Sequence, residues 1–311
     1  MAKKEKTWGW AITALVVVLI AGGFSVLTFF PDWQFENRYV AYLSMTFSAI
    51  TVLWPLAILF SLVAVLRSRK IFSLLILIAS VAGTYWFVMP VELEKTTPGD
   101  TAIAALVVHY QNDSVAIENL ISARSPELVQ VVGVSETVAS DLASGLLAAQ
   151  YPYSVFQNGV FVLSETSLSV AADYDSLLIA STQIDSVNWT FAFMSFPTPL
   201  DDVIGWQSSA QALSGMISPH RSGNLVVIGS AGNNRFSAPF QRLEALGLVD
   251  ARIQVRSWNA SSWPLNSAVR PILTFDHAFV SRSVVATEYS RIAFGNDDYQ
   301  GFSFSFASRQ N

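Results

Sequence analysis

Residues 8–30, WGWAITALVVVLIAGGFSVLTFF, carry no charged side chain. A helix needs about 20 apolar residues to cross a bilayer core, so this run is long enough to span. A cleaved signal peptide is the competing reading, with Lys3, Lys4 and Lys6 as its basic start. The apolar core of such a peptide runs for about 7–15 residues and ends at a small-x-small cleavage site. The run here is longer, and no such site precedes Pro31. It is therefore read as a retained transmembrane helix.

A second span is expected over residues 39–66, kinked at Pro55. A third covers 71–88 and is closed by Pro90. The tight turn Arg67-Ser68-Arg69-Lys70 lies between them. Positive charge accumulates on the cytoplasmic side, which puts the N-terminus and this turn inside and everything after residue 88 outside. Trp8, Trp10, Trp33, Trp54, Tyr85 and Trp86 mostly fall near the expected interfaces, where aromatic belts form. Ala21-Gly22-Gly23 and Ala79-x-x-x-Gly83 permit close helix contact, among the three helices or with another membrane protein. No ionisable residue lies inside a span, which argues against ion or proton transport.

Composition agrees with this division. The 311 residues are 52% hydrophobic and only 13% charged, against about 25% charged in average soluble domains. There is no cysteine, which excludes disulfides, thiolate zinc sites and cysteine nucleophiles. A net charge of −5 gives no general basic footprint for nucleic acid. The histidines are His109, His220 and His277, too few for a histidine-rich metal cluster.

After a polar linker at residues 91–101, residues 102–311 are long enough for one sizeable core. Strands are expected at 102–108, 127–134, 154–156, 160–163, 176–180 and 189–195, and helices at 114–122, 138–149 and 201–217. Residues 224–251, NLVVIGSAGNNRFSAPFQRLEALGLVDA, read as a buried strand, a Gly/Ser/Asn-rich loop and a short helix. Short strands follow at 251–255, 275–280, 283–286 and 302–306. The pattern is α/β, with stacked sheets and helices outside. A loop at the carboxyl end of such a strand is a usual place for chemistry. Residues 229–234 nevertheless contain no carboxylate.

The order of these elements, with several short motifs, resembles the endonuclease/exonuclease/phosphatase superfamily over residues 102–307. Pro126-Glu127-Leu128-Val129-Gln130-Val131 is similar to its P-D-V-V-A-L strand, and residues 159–164 to its G-x-x-x-L-S segment. Phe196-Pro197-Thr198-Pro199-Leu200 resembles the turn after its histidine strand. Residues 225–234 and 245–251 match the setting of its G-D-F-N loop and the following "GL-DA". Phe275-Asp276-His277-Ala278-Phe279-Val280-Ser281 is similar to its I-D-H-V-x-V-S strand, and residues 295–299 stand where it has G-S-D-H. The resemblance implies a four-layer α/β sandwich that hydrolyses phosphoesters with a divalent metal. It also implies a bacterial inner-membrane protein with a periplasmic domain, since many bacterial relatives carry N-terminal spans.

Carried over residue by residue, the resemblance implies a degenerate site. The family's first asparagine falls on Val107 and its metal-binding glutamate on Gly133. Its phosphate-contacting histidine falls on Ser195 or Met194, and its G-D-F-N pair on Ser230 and Gly232. Its closing histidine falls on Asp298; Asp276, which orients that histidine, and Asp297 keep their types. Magnesium needs oxygen ligands, including one or two carboxylates, which Gly133 and Ser230 do not supply. Asp298 beside Asp297 repels an anionic substrate. The expectation is a pseudoenzyme with no cofactor, engaged with the bilayer and another membrane or periplasmic protein rather than with nucleic acid.

The alternative is an active phosphoesterase with a rebuilt site, using Mg²⁺ or Mn²⁺. Asp276, Asp297 and Asp298 would then be candidate metal ligands, with Glu136, Asn233 or Asn234 nearby and His109 close to His277. Read without that alternative, Glu136 is a solvated residue at a helix entry, Asn233-Asn234 are turn residues and His277 is a packed strand histidine. No G-x-S-x-G elbow precedes a helix, and Gly229-Ser230-Ala231-Gly232 lacks a P-loop lysine. Candidate contact surfaces are residues 133–136, 229–236, 296–299 and 258–264, the last carrying Trp258 and Trp263.

Overall fold

The computed structural model describes residues 2–68, 71–87, 97–110, 113–257, 274–294 and 298–310. The loop carrying Trp258 and Trp263 lies outside them, as does Asp297. The chain divides into two units, Met1–Glu92 and Leu93–Asn311.

The first unit is helical: α1 (Ala2–Thr28), α2 (Pro31–Glu36), α3 (Arg38–Ser44), α4 (Ile50–Ser68) and α5 (Ile71–Phe87). Two stretches are long and apolar enough to cross a membrane, Gly9–Thr28 and Ile50–Arg67. The expected third span falls short of that length. Its helix has 17 residues, which at 1.5 Å each reach about 25 Å against a core of about 30 Å. The expected second span also starts later, at Ile50 rather than residue 39. Asn37 ends α2 and caps α3, its side chain accepting from the Tyr39 N–H at 2.9 Å. Then Ser44 and Thr46 turn their hydroxyls back onto Ala41 and Leu43 carbonyls, each at 2.7 Å, which competes with helix continuation.

Small residues let these helices approach closely. Ala14, Ala21, Ala57 and Ala64 are fully buried, and the Trp54 ring lies where a side chain at Gly83 would stand. Trp54 Nε1 donates to Ser25 Oγ at 3.1 Å, and the Ser61 and Ser80 hydroxyls meet at 3.1 Å. The inward face of α5 is therefore Ser73, Ile76, Ser80 and Gly83; Ala79, expected beside Gly83, is exposed. The Arg67 guanidinium lies 5.5 Å from the Trp10 ring centre, so the basic turn begins beside the start of α1.

The second unit stacks two six-stranded sheets. The first contains β1 (Pro98–His109), β2 (Leu128–Val132), β3 (Tyr153–Gln157), β4 (Val160–Ser164), β11 (Val284–Phe294) and β12 (Asp298–Arg309), in the order β11-β12-β1-β2-β4-β3. The second contains β5 (Ser169–Tyr174), β6 (Leu177–Ile184), β7 (Val187–Ser195), β8 (Asn224–Ser230), β9 (Val249–Asp250) and β10 (Asp276–Val280), in the order β5-β6-β7-β8-β10-β9. Strand β2 is buried along its whole length and shows why both sheet faces must be apolar. Leu128 and Val132 point between the sheets with Val107, Phe191, Phe193, Ile228 and Phe304. Val129 and Val131 point outward onto α6 (Ser114–Arg124) and α7 (Glu136–Ser144).

The other sheet is covered by α8 (Val203–Ile217) and α9 (Ala238–Ala245). Trp206, Ala210, Leu213 and Ile217 recur at helical spacing and are fully buried, as are Phe240 and Leu243 of α9. Helix starts are set locally. Asp113, Ser135 and Asp202 accept from the N–H groups of Ala116, Val138 and Gly205, capping α6, α7 and α8. Asn158 and Gly159 both have positive φ and form the tight turn joining β3 to β4.

One element differs in kind from the expectation. Residues 251–255, read as a strand, begin the short helix α10 (Ala251–Gln254). Asp250 caps it through the Arg252 N–H, and the strand is confined to Val249 and Asp250. Strand β5 was not expected at all, because its residues are mostly exposed and lack the apolar alternation of a half-buried strand.

Trp206 joins α8 to the end of β8, its Nε1 donating to the Ala231 carbonyl at 3.0 Å. Trp206→Ala is expected to lower stability by about 3–5 kcal/mol, read as a fall in the urea midpoint.

Candidate functional site

The carboxyl ends of β7 and β8 lie side by side, with Ser195 opposite Ser230 in parallel register. Antiparallel β10 then sets Asp276 opposite Ser230. One row of the sheet thus carries Ser195, Ser230 and Asp276. The end of β1 faces this row from the other sheet. His109 Nε2 lies 3.0 Å from Asp276 Oδ2, and both side chains are almost wholly buried. The contact ties the two sheets together across their interface. A second tie lies one layer deeper, where Gln130 of β2 donates from Nε2 to the Met194 carbonyl of β7 at 2.7 Å. Its Oε1 is buried without a hydrogen-bond partner among the described residues.

Asp276 and His277 are consecutive on a strand, so their side chains leave opposite faces. This separates His277 from His109, which the rebuilt-site alternative had brought together. His277 is fully buried under Phe240, with ring centres 4.0 Å apart. Its Nε2 faces two acceptors, the carbonyls of Asn233 at 3.2 Å and Thr274 at 3.0 Å, so that nitrogen carries the proton. Nδ1 then accepts from Arg252 Nη2 at 2.9 Å. Arg252 also forks onto both carboxylate oxygens of Asp250.

Burial, and then the neighbouring Arg252 charge, hold the His277 imidazole below its ordinary 6.5. For Asp250, burial alone would raise the carboxyl; the Arg252 guanidinium outweighs it and holds the group well below the usual carboxylate range. The Asp250–Arg252–His277 network escaped sequence reading. Its one local signal was an aspartate capping a helix whose second residue is arginine.

The remaining candidate positions are placed as follows. Val107 is fully buried in the core between the sheets. Gly133 is exposed in the turn after β2, with φ +82°, and open space surrounds the place its side chain would take. Gly232 has φ +62°, and a Cβ there would run into the Pro197 carbonyl, so the local backbone admits only glycine. Asn233 and Asn234 are buried and serve the loop. Asn233 Oδ1 accepts from the Asn234 N–H at 2.8 Å, and Asn234 Oδ1 from the Phe236 N–H at 3.0 Å. Glu136 is the exposed first residue of α7. Asp298 opens β12; its side chain, like the whole of Asp297, lies outside the described part.

Neither a protein-family model nor a curated protein matches the chain. Solved structures do match. A humanized D. rerio TDP2 carrying 14 mutations has a TM-score of 0.52 at 9% identity, covering 67% of this chain and 99% of that one. D. rerio TDP2 complexed with a single-strand DNA product has a TM-score of 0.52 at 10% identity, covering 67% and 100%. An endonuclease/exonuclease/phosphatase from Beutenbergia cavernae DSM 12333 has a TM-score of 0.51 at 13% identity, covering 67% and 72%. The second unit has the endonuclease/exonuclease/phosphatase fold.

The row of Ser195, Ser230 and Asp276 brings together three of the positions onto which the resemblance carries the family's site. Among the described residues, those at this end of the sheets do not make a divalent-cation site. Gly133 has no side-chain donor, Ser230 offers a neutral hydroxyl, and one Asp276 oxygen is engaged by His109. Among the described residues no three His, Cys, Asp or Glu side chains group to hold a metal.

The His277 and Asp250 shifts set the expected pH dependence. Both folded values lie below the unfolded ones, so the unfolded chain binds more protons as pH falls. Stability is complete above about pH 6.5, drops as His277 is forced to charge, and drops again below about pH 4 as the Asp250 carboxylate is forced to take up a proton and lose its charge. His277→Gln is expected to flatten the first of these steps in thermal unfolding compared at pH 7.5 and pH 5.

Proposed function

We propose that this protein is a membrane-held, non-hydrolytic member of the endonuclease/exonuclease/phosphatase fold, serving as a binding or assembly subunit. Two long apolar helices hold it at the bilayer, and the folded domain stands on the extracytoplasmic side of a bacterial inner membrane. The partner in this reading is another membrane or periplasmic protein rather than nucleic acid.

The observation that carries the proposal is the state of the catalytic pole. Phosphoryl transfer depends on a metal and on donors that neutralise charge developing on phosphate oxygens. Loss of one such donor typically costs about 10²–10³ in rate. On the resemblance, Gly133 and Ser230 stand at the family's carboxylate positions, and a Cβ at Gly232 would meet the Pro197 carbonyl. The scaffold around them is intact and tightly packed. Retained framework beside lost ligands is what a chain kept for its surface would show.

Two measurements test this. The purified full chain, assayed with Mg²⁺, Mn²⁺ and Ca²⁺ on a generic phosphodiester, is expected to give no turnover above buffer. Isolated from native membranes in mild detergent, it is expected to elute with a stoichiometric partner. Metal-dependent turnover abolished by Asp276→Ala would overturn the proposal in favour of a rebuilt active site, and a chain that always elutes alone counts against the assembly role.

A further inference from the structure

The other end of β8 holds a basic groove that the fold's phosphoester site does not use. It lies about 20 Å along the strand from Ser230. Arg221, Arg282 and Arg309 border an open concavity of about 600 Å³, together with Ser222, Ser283 and Gly247. Among the described residues no carboxylate side chain lines it.

Hydrogen bonds fix the segments that carry these arginines. Arg221 ends the short turn at Ser218–His220 and is followed by Gly223, whose N–H donates to the His220 carbonyl at 3.1 Å. The hydroxyls of Ser281 and Ser283, on either side of Arg282, each donate to the Gly223 carbonyl at 2.7 Å. The Arg309 N–H donates to the Ser283 carbonyl, also at 2.7 Å. The Arg282 guanidinium lies across Gly247, its Nε 3.5 Å from where a Cβ would stand. Loop β10–β11, the turn before β8 and the end of β12 are thus bound into one rim.

Bringing guanidinium groups together costs electrostatic energy unless an anion lies between them. Arg221 and Arg282 are exposed, so nothing in the packing requires their charge. The chain as a whole carries −5, yet every basic residue after Lys95 is arginine. Arginine's planar fork matches two oxygens of a tetrahedral oxyanion, where lysine offers a point charge.

We propose that this groove binds a phosphate-type oxyanion, as free phosphate or as the headgroup of an anionic phospholipid. It lies at the opposite pole from Asp276 and does not depend on whether that pole is active.

The test uses the full chain in neutral detergent, titrated calorimetrically with inorganic phosphate, dihexanoyl phosphatidic acid and dihexanoyl phosphatidylcholine. Saturable binding of the anions, weakening with salt, is expected, with none for phosphatidylcholine. Equal affinity for phosphate and phosphatidic acid assigns a free anion; clearly tighter phosphatidic acid assigns a lipid headgroup. Arg221→Gln and Arg282→Gln should each weaken binding about tenfold. The double variant without ligand should melt at the same temperature as the parent or higher, because mutual repulsion is relieved. Absence of saturable anion binding, unchanged affinity in the double variant, or a lower melting temperature would overturn the proposal.

Discussion

The α/β domain depends on two sheets that cannot tolerate water on their facing sides. Trp189 meets Phe306 edge-on at 5.2 Å, Phe191 meets Phe306 at 5.9 Å, and Phe304 stacks on Phe306 at 5.0 Å. These rings come from both sheets, so their burial fixes which strand lies over which. Large aromatic area removed from water is the main favourable term in such a core. The helices then cover what remains apolar on the outer faces.

Within that apolar interface the few polar groups act as locks. Gln130 reaches across to the Met194 carbonyl, and His109 reaches across to Asp276. A polar group buried without a partner is costly, so each tie holds only in the correct alignment of the sheets. The end of the sheets that carries Ser195, Ser230 and Asp276 is therefore tied together by its own side chains. His109 occupies Asp276 from the first strand, and Gly232 is held flat beneath the loop at Pro197. The opposite end is built differently: hydrogen bonds there join backbone groups and serine hydroxyls, and Arg221 and Arg282 are exposed.

Much of the fold was legible in the sequence because it rests on local pattern. The buried runs at β2, β4, β7, β8 and β10 carry it, as does the loop after Ser230. What failed was set by neighbours. Residues 251–254 have the apolar content of a strand, but Asp250 captures the Arg252 N–H and starts a helix. Strand β5 has no apolar signature, since it is an exposed edge that gains order by pairing with β6. The helix beginning near residue 39 ends at Ser44, and the long span starts only at Ile50, a break hydropathy does not register.

By itself, the sequence determined the apolar helices, the α/β order of the domain and the absence of carboxylates at residues 133 and 230, because each is a property of residue type at a given position. Only the tertiary structure decided which histidine meets Asp276. Strand alternation sends His277 to Arg252 and Phe240, and stacking of the sheets brings His109 across from a strand 167 residues away. The gathering of Arg221, Arg282 and Arg309 has the same origin. Distant residues share a surface only after the strands that carry them are paired.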